Sequence, residues 1–227
     1  MTATAAFLRG AGDTVGLAVA AGLFGLLFGV AAVTAGMSAV TAVSLSATVL
    51  AGSAQFAALA LWQAPLPLAT IALTTALVGA RHVLMGIQMK PIAEPVPAWR
   101  RVAGIALMTD FNWAITVTAA PEKRRFGYFF GSGLTLYVLW TGGTVLGVAL
   151  PQLLTPELRM AAAGAGTLFL TAIACVIATN VGRPALVPIA AAAGGAVLAD
   201  LLAGPTLAPA AAVAAGAFVF LVRARGR

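Results

Sequence analysis

The sequence predicts an all-α protein, a polytopic membrane helix bundle of about seven or eight segments, and three observations carry that expectation. Of the 227 residues, 61% are hydrophobic and only 8% are charged, far from the usage of a water-soluble domain. The mean hydropathy is +1.02. The apolar stretches also run unbroken over about 20 residues, enough helix to cross a hydrocarbon layer roughly 30 Å thick. Strands of a membrane β-barrel would instead alternate apolar and polar positions over roughly ten residues. Residues 1–227 are therefore read as a single integral membrane domain.

Runs free of charge, bounded by Gly, Pro or charged clusters, predict segments 1 to 8 at 15–35, 39–62, 66–89, 103–120, 127–149, 160–179, 185–203 and 207–222. Arg9 is the sole basic residue up to Ala21, and the apolar run continues to Val33, so no cleavable leader is expected. Two polar connections, Lys90 to Arg101 and Pro121 to Arg125, read as loops. With eight crossings and a cytoplasmic N-terminus, that side carries Arg9, Lys123, Arg124, Arg125, Arg183, Arg223, Arg225 and Arg227. The other side carries Lys90, Arg100, Arg101 and Arg159, so the positive-inside bias sets both termini in the cytoplasm. This count puts the two basic connections on opposite sides. A re-entrant segment 4 would bring them together and leave seven crossings.

Composition excludes several functions. The net charge of +7 gathers at segment ends, where it orients a membrane protein, so no water-exposed basic face for nucleic acid is expected. Cys175 stands alone in an apolar run, which allows no internal disulfide. With one cysteine and one histidine, no conventional metal centre can be built, and no cofactor is expected. Motifs for nucleotide binding, zinc proteolysis and serine hydrolysis are missing; Gly131-Ser132-Gly133 is a serine with no evident base nearby. The chain does not read as an enzyme. Its 25 glycines favour close helix packing. Ala51-Gly52-Ser53-Ala54 and Ala163-Gly164-Ala165-Gly166, 112 residues apart, hint at duplicated halves of a transporter.

A strongly polar side chain at mid-membrane costs roughly 2.5–3.5 kcal/mol, which makes it a functional candidate. Four places qualify. In segment 2, Gly52, Ser53 and Gln55 predict an interruption that frees backbone groups to line a cavity, as in transporters with discontinuous helices; a packing face with an interhelical glutamine hydrogen bond is the plainer alternative. Segment 3 holds Arg81, a candidate to snorkel or to pair, and His82, whose titration range suits proton coupling but which equally serves as a structural group. Segment 4 holds Asp110 and Asn112 after Thr109, and Asp110 needs a cation, for which Arg81 is the natural choice. In segment 5, Tyr137 and Trp140 lie beside Gly142 and Gly143, too deep for an interfacial belt and suited to core packing or to a substrate wall.

Phe28-Gly29, Leu50 to Phe56, Ala80 to Gly86 and Thr109-Asp110, in that order and spacing, resemble the AzlC family. The resemblance implies the large subunit of a bacterial inner-membrane exporter of branched-chain amino acids, working with a small hydrophobic AzlD-type subunit. It implies valine, leucine and isoleucine as substrates, with methionine as an extension. Gly52, Ser53, Gln55, Arg81, Tyr137 and Trp140 become substrate-binding candidates, and His82, Asp110 and Asn112 a proton-coupling or polar core. The pattern departs at Phe111, where an acidic residue is common in the family. The absence of a nucleotide motif favours a secondary, proton-driven transporter; the alternative is the membrane-spanning subunit of an ATP-driven transporter or a channel.

Overall fold

The computed structural model describes residues 2–121, 123–158 and the isolated position 195. Segments 6 to 8, Cys175 and the second Ala-Gly repeat lie outside the described residues, so the total number of crossings does too. Among the described residues every regular element is helical. Among the described residues, three helical runs are long and apolar enough to cross a membrane: α1 (Ala3–Thr34), α4 (Leu68–Gly79) continued by α5 (Arg81–Ala93), and α8 (Phe126–Ala149) with the 3-10 turn Leu150–Gln152. Helix α1 starts well before residue 15, because Thr2 caps it by accepting from the Ala5 N–H. Arg9 and Asp13 thus belong to the first helix.

Segments 2 and 4 are not single helices. Segment 2 divides into α2 (Ala39–Thr48) and α3 (Gly52–Ala60), separated by Val49-Leu50-Ala51 in non-helical backbone. Segment 4 divides into α6 (Ala98–Ala106) and α7 (Asp110–Thr118) around Leu107-Met108-Thr109. The predicted interruption near Gly52 therefore exists, but it falls just upstream, and Gly52 opens the second half-helix. The expected loop from Lys90 to Arg101 is largely helical: Lys90 and Pro91 complete α5, and Trp99, Arg100 and Arg101 lie in α6. Pro97 occupies the N-cap of α6, where a missing N–H costs no hydrogen bond.

Both divided segments turn back on themselves. A collinear path from Ser46 through three extended residues to Gln55 would separate them by roughly 20 Å, yet the Ser46 hydroxyl donates to Gln55 Oε1 at 3.2 Å. Helix α3 then runs alongside α1, with Ser53 close to Ala21 around one cleft and Phe56 edge-on to Phe28 at 5.5 Å. Its end therefore returns to the level at which α2 began. The second hairpin enters from the opposite end. Trp99 and Arg100 share a groove with Phe126 and the N-terminal turn of α1. The α6–α7 turn lies deeper, at Gly133, and Val117 of α7 packs back with Ile92 and Phe126. The connections around 94–97 and 121–125 consequently border the same groove, the arrangement expected of a re-entrant segment 4.

Helices α1 and α8 form the spine and run parallel, since Phe7 lies against Gly131, Gly22 against Gly143 and Leu26 against Gly147. The approach is backbone to backbone. A Cβ placed on Gly25 would stand 2.3 Å from the Trp140 carbonyl oxygen, and one on Gly147 would stand 2.1 Å from that of Leu26. Small residues permit such contact, and dispersion over the long seam supplies the attraction that lipid cannot. Polar contacts also fasten α8 to its neighbours: Thr14 of α1 donates to Ser132 Oγ at 2.9 Å, and the hydroxyls of Ser46 on α2 and Thr144 lie 2.9 Å apart. All four side chains are fully buried.

Candidate functional site

The two hairpin tips meet the middle of the bundle at one small cleft, lined by residues 50–53, Arg81, His82, residues 109–111, and the apolar side chains of Ala21, Leu136 and Trp140. Arg81 lies immediately after the α4–α5 hinge at Ala80. Its Nη2 donates to Ser53 Oγ at 2.6 Å and to Asp110 Oδ2 at 2.9 Å, so one guanidinium ties both tips to the α4–α5 run. Its Nε is buried with no partner. His82 Nδ1 donates to the Gly79 carbonyl at 3.0 Å, which assigns the proton of the neutral ring to Nδ1. The cleft encloses about 30 Å³, room for one or two waters.

The two half-helices that start here differ at their N-termini. Helix α7 is closed by its own residues: Thr109 and Asn112 form a reciprocal capping box, and Asp110 adds a carboxylate to the first turn. Helix α3 receives no side-chain cap from Ala51. Its first turn, at Gly52 and Ser53, borders the cleft, and an uncapped helix N-terminus with its positive dipole end suits a carboxylate. The charges at the two tips are thus complementary: an anion-accepting end at Gly52-Ser53 beside Arg81, and the Asp110 carboxylate opposite.

Gln55 holds the first tip in shape. Fully buried, it donates from Nε2 to the Val49 carbonyl, across the break, and its Oε1 accepts from Ser46 and, at 3.2 Å, from Trp140 Nε1. Gln55→Leu removes the acceptor of the Trp140 N–H, whereas the Ser46 hydroxyl keeps Thr144 and the Val49 carbonyl keeps the Ala51 N–H; losing a buried partner costs roughly 1–3 kcal/mol. Thermal unfolding in detergent should register a loss of about 1–3 kcal/mol. A change within experimental error would mean that the tip keeps its form without Gln55.

Six of the residues singled out in sequence come together at the cleft: Gly52, Ser53, Arg81, His82, Asp110 and Trp140. Three do not line it. Gln55 stands behind the first tip. Asn112 is fully buried and turned to backbone, accepting from the Thr109 N–H at 2.7 Å and donating to the Leu107 carbonyl at 3.0 Å. Tyr137 packs, partly buried, against the main apolar core. Sequence reasoning passed over Asp13, whose Oδ2 accepts from Lys123 Nζ at 2.8 Å and from the Tyr128 hydroxyl at 3.1 Å. A carboxylate in an apolar stretch was the available signal, hidden by starting the first helix at 15.

A bundle with two back-folded, interrupted segments whose tips face each other across an ion pair belongs to the class of polytopic membrane proteins with a polar centre at mid-depth. The AzlC family, described as AzlC protein, matches residues 16–154, well over half the chain, and the chain belongs to that family, which is associated with membrane transport. No curated protein and no solved structure matches it.

Proposed function

We propose that the protein is the large subunit of a secondary transporter that exports branched-chain and similar small apolar amino acids across the bacterial inner membrane. The observation that supports this reading is the Arg81–Asp110 pair at the meeting point of the two interrupted segments. An amino acid carries the same two charges on groups bonded to one carbon. Its carboxylate takes the place of the Asp110 carboxylate on Arg81, where the Ser53 hydroxyl and the open end of α3 add donors, and its ammonium takes the place of Arg81 on Asp110. Ala21, Phe111, Leu136 and Trp140 then offer an apolar wall to an aliphatic side chain.

A cleft of about 30 Å³ does not admit valine while the pair is closed, so substrate entry parts Arg81 from Asp110 and moves one hairpin. Each hairpin opens to a different end of the bundle, as alternating access to a central site requires. His82 and Asp110 are the proton-responsive groups, both termini are cytoplasmic, and a small AzlD-type subunit completes the transporter. Counterflow of labelled valine, leucine, isoleucine and methionine into proteoliposomes holding the chain and its small partner tests the substrate class. Proton coupling requires that a protonophore stop net uphill efflux while withdrawal of ATP leaves it intact. Counterflow of none of the four amino acids would sink the proposal.

A further inference from the structure

At the end of the bundle that holds the N-terminus, a groove of about 810 Å³ opens between the first turn of α1, the end of α5, helix α6 and the start of α8. Its floor is apolar, built from Phe7, Ile92, Phe126 and Phe130, with Phe126 and Phe130 stacked at 6.1 Å. Its rim is cationic: Arg100, Arg124 and Arg125 all border it, and among the described residues no acidic one does. The neighbouring Lys123 pairs with Asp13 at 2.8 Å, and Arg124 Nε donates to the Ala119 carbonyl at 2.7 Å. Arg100 lies over the Trp99 ring at 4.9 Å, and Trp99, Val102 and Ile105 present α6 outward, each more than half exposed.

We propose that this groove is a binding site for an anionic phospholipid, with the phosphate held by the arginine rim and the upper acyl chains laid over the phenylalanine floor. The occupant must be amphipathic, because the floor rejects water and the rim demands an anion. It must also sit at the level where the crossing helices α5 and α8 end, which is the level of lipid headgroups and of an interfacial tryptophan. Guanidinium groups suit phosphate through paired N–H donors. Helix α6 is one arm of the hairpin that carries Asp110, so the bound lipid bears on an element of the central cleft.

Trp99 supplies the probe. The protein is reconstituted in phosphatidylcholine vesicles containing either brominated phosphatidylglycerol or brominated phosphatidylcholine at equal mole fraction, and the Trp99 signal is isolated by difference from Trp99→Phe. The expected result is stronger quenching of Trp99 by the phosphatidylglycerol. That preference should fall roughly fivefold in relative affinity for each arginine removed in Arg100→Gln and in the double variant with Arg124→Gln, and should weaken at high salt in the unaltered protein. Equal quenching by the two lipids, or a preference that survives the double variant, overturns the proposal. So does a Trp99 signal that neither lipid quenches, since the groove would then be covered by polypeptide, whether this chain or a second subunit.

Discussion

Asp110→Asn is expected to abolish amino-acid counterflow and to lower the stability of the detergent-solubilised protein by about 1–3 kcal/mol, between the values typical of exposed and of buried ion pairs. Both side chains are about one-third exposed, facing the cleft rather than packed core, which keeps the figure below that for full burial. The loss comes from leaving Arg81 with the Ser53 hydroxyl as its remaining acceptor among apolar helices. Asp110→Asn combined with Arg81→Gln removes the unmatched charge and should recover most of the stability, so the two changes together cost less than the sum of each alone. Counterflow should not recover, because the proposed site has lost both groups that match the amino acid. Unfolding measures the pairing and counterflow measures the function. Counterflow that persists in Asp110→Asn would move the site wholly to the open end of α3, and additive stability losses would mean that the pair contributes no coupling.

The helical class and the three long apolar runs, α1, α4 with α5, and α8, were legible because the bilayer demands continuous apolar helix, and composition records that demand directly. Gly52-Ser53 also signalled an interruption, and Asp110 signalled a partner, since an unmatched charge in that setting is too costly to be incidental. What the sequence hid was direction in segment 2 and the place of the turn in segment 4. Leu107-Met108-Thr109 contains neither glycine nor proline, and the turn there is stabilised by the Thr109–Asn112 capping box and by the bond from Asn112 to the Leu107 carbonyl. These are tertiary and capping choices that apolar periodicity does not encode. Likewise, Gln55 looked like a substrate ligand because it is polar and mid-segment, but the same polarity closes the α2–α3 turn. In an apolar environment, supporting and binding side chains carry the same sequence signal.

Gly143→Ala and Gly142→Ala, neighbours on α8, should behave in opposite ways. Both exchange glycine for the best helix former, a gain of about 1 kcal/mol in an exposed helix interior, so propensity cancels in the comparison. At Gly142 an added Cβ meets nothing within 4 Å, and the variant should be neutral or slightly stabilised. At Gly143 the same atom would stand 2.1 Å from the Gly22 carbonyl oxygen and 3.0 Å from the Leu26 nitrogen. Both neighbours are backbone, so no rotamer change relieves the clash, and α1 and α8 must separate along their parallel seam. Overpacking of this kind costs roughly 1–3 kcal/mol and sometimes more; the upper end is expected here, because separation also stretches the Thr14–Ser132 hydrogen bond between the same two helices. Thermal unfolding of both variants in one detergent gives the difference directly. Equal stabilities would place Gly143 away from α1 and would refute the parallel register of the two helices on which the position of the cleft depends.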